Sequence, residues 1–330
     1  MTARIDVHTH FVPDFYRDAL LAAGHHRPDG IAAIPAWDEQ AALAAMDKLD
    51  ITAAALSISS PGVHFGDDAA AADLARRCND EAARLSAAHP GRFGFFAALP
   101  LPDLAASLRE LARAMELGAL GAVLETNHYG QYLGHGALDE LYAELTRRNG
   151  VVFIHPTSPC TGGELALGYP RPMLEFMFET TRSVTNLVVS GVLERHPELK
   201  VVVPHGGAVL PVLANRIDLL LPILGAPGAP TPPGMRDALR RLYFDLAGAP
   251  VPELLGALLS VADPSHIMYG SDWPFTPLAA CQTLAERIDQ TPLLAEPLRT
   301  AVLSDNAAKL FPSMASAKKA ASPGSSRHAH

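Results

Sequence analysis

Short apolar runs alternate with amphipathic segments along most of the chain, and this alternation predicts an α/β fold with the (β/α)8 TIM-barrel architecture. Near-continuous apolar strands are typical of a parallel sheet that is covered on its outer face. An open doubly wound sheet would usually carry a glycine-rich phosphate turn after its first strand, whereas this chain has His8-Thr9-His10 there. We therefore expect a single barrel domain over residues 1–312.

The first half of the chain supplies four of the predicted strands. Helices are indicated by apolar residues three and four positions apart, as in Ala42, Met46 and Leu49. In chain order the predicted strands are 4–10, 51–58, 93–99 and 119–124, and the predicted helices are 14–20, 38–49, 69–88, 104–117 and 138–148.

The second half repeats the pattern and completes eight strand–helix units. A loop rich in Gly and Pro is expected at 225–234. The tail from Ser313 to His330 has no apolar periodicity, so we expect it to be disordered. The predicted strands of this half are 151–155, 201–205, 242–246 and 267–270, and the predicted helices are 173–195, 210–221 and 252–260.

Composition and charge exclude several classes of protein. The 330 residues include 26 Lys or Arg against 35 Asp or Glu, a formal charge of −9, whereas nucleic-acid binding requires a basic stripe. No apolar run is as long as a membrane span, and the N-terminus enters a strand without a signal peptide. We therefore expect a cytoplasmic protein without a nucleic-acid or membrane partner. Cys78, Cys160 and Cys281 are far apart, which favours free thiols.

Polar residues stand where four of the predicted strands end. His8 and His10 are two positions apart on the first strand, so their side chains point to the same face of the sheet. Their Cα atoms would be about 6.5 Å apart, which is close enough for both to bind one ion. His155, His205 and Asp272 follow the fifth, sixth and eighth strands. Each of them alone could be an ordinary hydrogen-bonding residue. In a barrel, however, these strand ends meet at one mouth, so the set together predicts a metal site.

These motifs make the chain resemble the amidohydrolase superfamily. Within it, the chain is similar to the branch of the aminocarboxymuconate semialdehyde decarboxylases and related metal-dependent decarboxylases of hydroxylated aromatic acids. Segments 6–16 and 132–135 look most like the 6-methylsalicylate decarboxylases. Besides the predicted ligands, the shared segments are 37–38, 46–47, 92–95, 153–156, 205–207, 269–272 and 305–307.

The resemblance implies a site and a reaction. It makes His8, His10, His155 and Asp272 the ligands of one divalent ion, with His205 as a catalytic group beside the metal-bound water. A histidine-rich shell with one carboxylate suits Zn2+, although some relatives use Mn2+. The implied activity is non-oxidative decarboxylation, in which Asp272 or His205 delivers a proton to the ring. The same residues would also serve a lactone or amide hydrolase, and a barrel that binds without turnover is a third alternative.

The resemblance also bears on substrate and assembly. Where the aminocarboxymuconate enzymes carry a substrate-gripping arginine, this chain has Ala42, so we expect a monocyclic 2-hydroxybenzoate with an apolar substituent rather than a dicarboxylate. Arg216 matches an arginine that reaches the neighbouring subunit's site in those enzymes, which implies a homodimer. We expect three aromatic residues to contact the substrate, namely Phe11, Trp273 and Phe275. The alternative is that they only pack at the rim of the barrel.

Overall fold

The computed structural model describes residues 3–161, 166–224 and 234–315, and eight short strands form the centre of this part of the chain. All but β1 consist mainly of apolar residues, as expected for a sheet covered on both faces, whereas β1 alternates Ile5 and Val7 with buried polar side chains. In chain order the strands are β1 (Arg4–His10), β2 (Ile51–Ser57), β3 (Phe93–Phe95), β4 (Gly121–Glu125), β5 (Val151–His155), β6 (Lys200–Val203), β7 (Tyr243–Asp245) and β8 (Ile267–Met268).

The strands pair in chain order to form a closed ring. All pairs within β1–β3 and within β4–β8 are parallel. Parallel bridges then join the two groups, from Ala97 to Ala122 on one side and from Asp6 to Tyr269 on the other. The predicted (β/α)8 barrel is therefore confirmed.

Helices surround the ring, and three of them begin at an aspartate that caps the helix. The carboxylate of Asp38 accepts a hydrogen bond from Ala41 N, and Asp67 and Asp103 cap two later helices in the same way. Such a cap is worth about 1 kcal/mol. The helices that follow strands β1 to β5 are α1 (Asp14–Ala22), α2 (Glu39–Lys48), α3 (Asp68–Ala88), α4 (Leu104–Glu116), α5 (Asp139–Arg147), α6 (Glu175–Val189) and α7 (Val192–Arg195).

The remaining helices complete the outer layer. A π-helical segment, Ala301–Asp305, joins the last two of them, and a short hairpin pairs Asn127–His128 with Gln131–Tyr132 beyond β4. None of the helices in the described residues is long and apolar enough to span a membrane. The helices are α8 (Leu210–Leu224), α9 (Met235–Arg241), α10 (Glu253–Leu259), α11 (Leu278–Gln290), α12 (Leu298–Thr300) and α13 (Asn306–Leu310).

Three predicted segments differ from the structure. The helix predicted over 173–195 is two helices, because Gly191 adopts φ 76° between α6 and α7. The strand predicted over 93–99 pairs regularly only at Phe93–Phe95. Met314, placed in the predicted tail, is 3% exposed and belongs to the core, so the ordered chain continues past residue 313. Residues 225–233 of the predicted loop and 316–330 of the tail lie outside the described residues.

Side chains fill the inside of the ring, so the barrel is a packed core. Alternate residues of the strands, including Val7, Phe153 and Val202, form this inner cluster and are fully buried. The rings of Phe96 and Phe153 stack there with their centroids 5.0 Å apart. Phe311 and Met314 join the same cluster. Any site must therefore lie above this core, at the carboxyl ends of the strands.

Candidate metal centre

Four side chains converge above the inner core: His8 and His10 of β1, His155 at the end of β5, and Asp272 in the loop after β8. One ligand atom from each lies within 4.8 Å of all the others. The Nε2 atoms of His8 and His10 are 3.1 Å apart, and Asp272 Oδ1 is 3.5 Å from the first and 3.2 Å from the second. Three imidazole nitrogens and one carboxylate oxygen, so placed, form a donor set that fits a divalent metal ion.

The loop that carries Asp272 is tied directly to β1. The backbone N–H of Asp272 donates to the carbonyl of His8 at 2.8 Å, and Asp272 itself takes the left-handed conformation at φ 60°. Asp6 accepts hydrogen bonds from the N–H groups of His8 and Ser271, and burial raises the pKa of Asp6 to about 7. A Cβ added at Gly270 would lie 2.8 Å from His8 Cβ, so only glycine permits this approach.

An oxygen atom faces the Nδ1 atom of each histidine in the cluster. Asp245, at the end of β7, has Oδ2 3.0 Å from His8 Nδ1 and is fully buried. The hydroxyl of Ser57 lies 2.9 Å from His10 Nδ1. Glu125 Oε2 lies 3.6 Å from the Nδ1 of the third histidine, His155. The first two partners are within hydrogen-bond distance, so they fix the ring orientation of His8 and His10 and leave Nε2 facing the cluster. Glu125 Oε2 and His155 Nδ1 are too far apart for a hydrogen bond.

Burial and the neighbouring carboxylates determine the charge on these groups. Burial opposes the charged form of His8, but the carboxylates of Asp245 and Asp272 outweigh it and raise the pKa of His8 to about 10. Burial lowers the pKa of His10 and of His155. Hydrogen bonds from His10 and His8 outweigh burial and hold the pKa of Asp272 well below its usual range. A metal ion is bound by an anionic carboxylate and by neutral imidazoles. Asp272, His10 and His155 already favour these forms, so binding of an ion would displace only the Nε2 proton of His8.

His205 lies beside the cluster and is not one of its four members. It follows β6 at φ 55°, with its ring centroid 5.0 Å from that of His8. Its Nε2 is 4.0 Å from Asp272 Oδ2, and its side chain is 14% exposed. Burial lowers the pKa of His205, which favours the neutral ring. The imidazole is therefore placed to exchange a proton with a molecule bound next to the cluster.

A cavity of about 800 Å³, which we call the metal chamber, opens above the cluster. His155, His205 and Asp272 form its floor, and its walls are largely apolar. No Lys or Arg is among the described residues that line it. An anionic ligand would therefore find no lysine or arginine countercharge among these lining residues. Apolar side chains of the wall include Ile31, Phe176, Met177, Leu254 and Phe275.

The predicted substrate contacts occupy different places. Phe275 lines the metal chamber, with its ring centroid 5.5 Å from that of His10. Phe11 is 2% exposed and packs against Trp37, and Trp273 lines only a small cavity beside Ala42. Neither Phe11 nor Trp273 is on the chamber wall. Arg216 is exposed on α8 and does not line the chamber of its own chain.

Three of the residues behind the cluster were not predicted as site residues. Asp245 was predicted only as part of a strand, Glu125 lies one residue past a predicted strand, and Ser57 lies inside one. A carboxylate at the end of an otherwise apolar strand is the signal that could have indicated Asp245 and Glu125. Ser57 gives no comparable signal, because it is a single small polar residue within a predicted strand.

Comparison with known proteins matches nearly the whole chain to one protein family. A family model described as amidohydrolase matches residues 5–313. The 6-methylsalicylic acid decarboxylase of Aspergillus aculeatus is 38% identical over 326 residues, which cover 94% of this chain and 96% of that protein.

Solved structures give the same result. The crystal structure of a 2,6-dihydroxybenzoate decarboxylase complexed with 2,6-dihydroxybenzoate superposes with a TM-score of 0.80 at 26% identity, covering 94% of this chain and 100% of that one. A dihydroxybenzoic acid decarboxylase from Polaromonas sp. JS666, solved with bound manganese and 2-nitroresorcinol, gives a TM-score of 0.80 at 25% identity. That match covers 94% of this chain and 97% of the other.

Proposed function

Because the chain belongs to the amidohydrolase family, we propose that it removes the carboxyl group of a small hydroxylated aromatic acid as CO2. The convergence of His8, His10, His155 and Asp272 beneath a largely apolar chamber is the observation that carries the proposal. The match to a 6-methylsalicylic acid decarboxylase over nearly its whole length supports a substrate of that type. Ala42, where a related branch has an arginine, agrees with a monocyclic hydroxybenzoate.

The reaction needs a proton on the ring carbon that bears the carboxylate. Protonation at that carbon gives a dienone-like ring, the bond to the carboxylate then breaks, its electron pair returns to the ring, and CO2 leaves. We assign delivery of the proton to the pair formed by His205 and Asp272. Their Nε2 and Oδ2 atoms are 4.0 Å apart on the chamber floor, so both groups face the space in which the ring would bind.

The metal is proposed to be Zn2+, with Mn2+ as the alternative that a manganese-bound neighbour supports. When bound, a divalent ion supplies a positive charge for the carboxylate and lowers the pKa of the adjacent hydroxyl. The residues of the chain do the rest. His8, His10, His155 and Asp272 would hold the ion, and the apolar wall with Phe275 would exclude water from the ring.

We further propose a homodimer in which Arg216 completes the partner's site. Among the described residues Arg216 makes no hydrogen bond or ion pair, and the chamber of its own chain has no Lys or Arg on its described walls. The same helix exposes Val212, Leu219 and Ile223 by 64%, 65% and 66%. An exposed apolar strip beside a free guanidinium is the surface expected of a two-fold contact. The cytoplasmic location stays a prediction.

A substrate panel tests the activity. Metal-free protein reconstituted with Zn2+ or with Mn2+ is incubated with 2-hydroxybenzoates, an acyclic dicarboxylate and a set of lactones, while CO2 and acid are measured separately. The proposal predicts CO2 release, fastest with 2-hydroxy-6-methylbenzoate. Acid release from a lactone without CO2 from any hydroxybenzoate would instead identify a hydrolase.

A further inference from the structure

A second cavity of about 500 Å³, which we call the side chamber, adjoins the metal chamber. Two side-chain hydrogen bonds connect residues that line one cavity to residues that line the other. Ser60 of the metal chamber lies 2.7 Å, oxygen to oxygen, from Thr157 of the side chamber. Ser158 of the side chamber donates to the carboxylate of Asp29, which lines the metal chamber. The two spaces are therefore neighbours whose lining side chains are hydrogen-bonded to one another.

The carboxyl group of Glu125 connects the side chamber with the metal ligands. Glu125 lines the side chamber and is 7% exposed, and its Oε2 lies 3.6 Å from Nδ1 of His155. Among the described residues this Oε2 has no hydrogen-bond partner, and neither has the buried Nε2 of His128, which also lines the side chamber. His155 Nδ1, which faces Glu125 Oε2, also has no hydrogen-bond partner among the described residues. The carboxyl group of Glu125 and the ring of His128 thus both bring an unsatisfied polar atom to this cavity, which in native proteins calls for a ligand or water.

The walls of the side chamber favour a neutral ligand. No Lys or Arg is among its described lining residues, and burial lowers the pKa of His128 to about 4, so that this ring is uncharged at neutral pH. An anion would therefore lose its hydration without gaining a countercharge. A neutral aromatic molecule would instead gain from burial against apolar side chains, which include Ile58, Val63, Phe65, Leu99 and Val123.

We propose that the side chamber binds a small neutral phenol. The hydroxyl group of the phenol would donate to the carboxyl of Glu125, and its ring would pack against the apolar wall. A volume of about 500 Å³ lies within the range of small-molecule sites. The identification of this phenol as a reaction product rests on the proposed function. The proposed reaction converts an anionic substrate, which needs the positive charge of a metal ion to bind, into a neutral phenol, which can bind in a chamber without positive charge.

A phenol held behind His155 would inhibit without competing directly for the metal chamber. Because Glu125 contacts both the ligand and His155, occupancy of the side chamber would change the metal site through that contact. The expected kinetic signature is inhibition by 3-methylphenol with a noncompetitive or mixed pattern against the hydroxybenzoate. Purely competitive inhibition would contradict this role.

Cys160 offers a direct binding assay that does not depend on catalysis. It is exposed and lines the side chamber, whereas Cys78 and Cys281 are buried, so N-ethylmaleimide should react first at Cys160. In metal-free protein, 3-methylphenol at ten times its dissociation constant should slow this labelling about tenfold. Its anionic counterpart, 3-methylbenzoate, should leave the rate unchanged. Equal protection by both compounds, or by neither, would overturn the proposal.

A matched pair of variants checks the location. Cys160→Trp places a large side chain at the side chamber, and Cys160→Ser changes little in volume. Calorimetry on the metal-free variants should show weaker binding of 3-methylphenol by Cys160→Trp than by Cys160→Ser, and equal binding by the two would place the phenol elsewhere. Protection of Cys160 without CO2 release from any substrate would refute only the proposed function. Normal CO2 release without protection would refute only the side chamber.

Discussion

Replacement of Asp245 by Asn tests how the barrel prepares its metal ligands. In the native protein Asp245 Oδ2 lies 3.0 Å from His8 Nδ1, and Oδ1 accepts from the backbone N–H groups of His205 and Ala247. The amide oxygen of Asn can keep the two backbone hydrogen bonds, which leaves its NH2 group facing His8. A donor at that position requires Nδ1 to be unprotonated, so the proton of a neutral His8 moves to Nε2, the atom that faces the ion.

The expected loss follows from the burial of this contact. His8 and Asp245 are both fully buried, so water cannot replace the lost acceptor. Loss of such a supporting partner typically costs tenfold to a hundredfold in metal affinity, about 1.4 to 2.8 kcal/mol, and we expect the upper end here. The pKa of His8 should also fall towards its ordinary value, because the carboxylate of Asp245 is its main source of stabilisation.

Competition with a chromophoric chelator measures the affinity for Zn2+ of the wild type and of Asp245→Asn. Asp73→Asn is the matched control, because its carboxylate is 52% exposed and pairs with Arg76 on α3, on the surface of the protein. Both variants should keep the wild-type circular dichroism spectrum. Wild-type affinity in Asp245→Asn would refute the conclusion that Asp245 sets the tautomer of His8.

Three further predictions concern single residues. His155→Ala should lose the metal, because it removes one of four ligands, and full occupancy by elemental analysis would show that the ligand assignment is wrong. His205→Ala should keep the metal but lose about 10²-fold or more in kcat, and loss of the metal as well would make His205 a ligand. Arg216→Ala should raise KM for the hydroxybenzoate, and mixing it with His205→Ala should restore activity through heterodimers that contain one intact site. If subunit exchange is demonstrated and no activity returns, Arg216 does not act on the partner's site.

The sequence was most informative about residues at the ends of the strands. His8, His10, His155 and Asp272 could be predicted together because a parallel barrel brings all its carboxyl ends to one mouth. The structure adds that their ligand atoms lie within 4.8 Å of one another. Apolar runs and alternation also indicated every strand, although the regular pairing of β3 is shorter than its apolar run.

The sequence could not predict which residues from distant segments contact each other. His8 and Asp245 are separated by 237 positions, and their pairing depends on the register of β1 and β7 around the closed ring. Phe11 and Trp273 follow predicted strands, yet the loop geometry turns them away from the metal chamber into the packing behind it. The side chamber could not be predicted for the same reason, because loops without periodicity form much of its wall.

The most direct test of the proposed reaction is the fate of the ring carbon that loses its carboxyl group. Zn2+-loaded protein is incubated with 2-hydroxy-6-methylbenzoate in deuterated water, and CO2 and 3-methylphenol are measured together. The proposed mechanism predicts equal amounts of the two, with deuterium on the ring of the phenol only at the carbon that carried the carboxylate. An unchanged hydroxybenzoate, under conditions in which the same preparation opens a lactone, would contradict it.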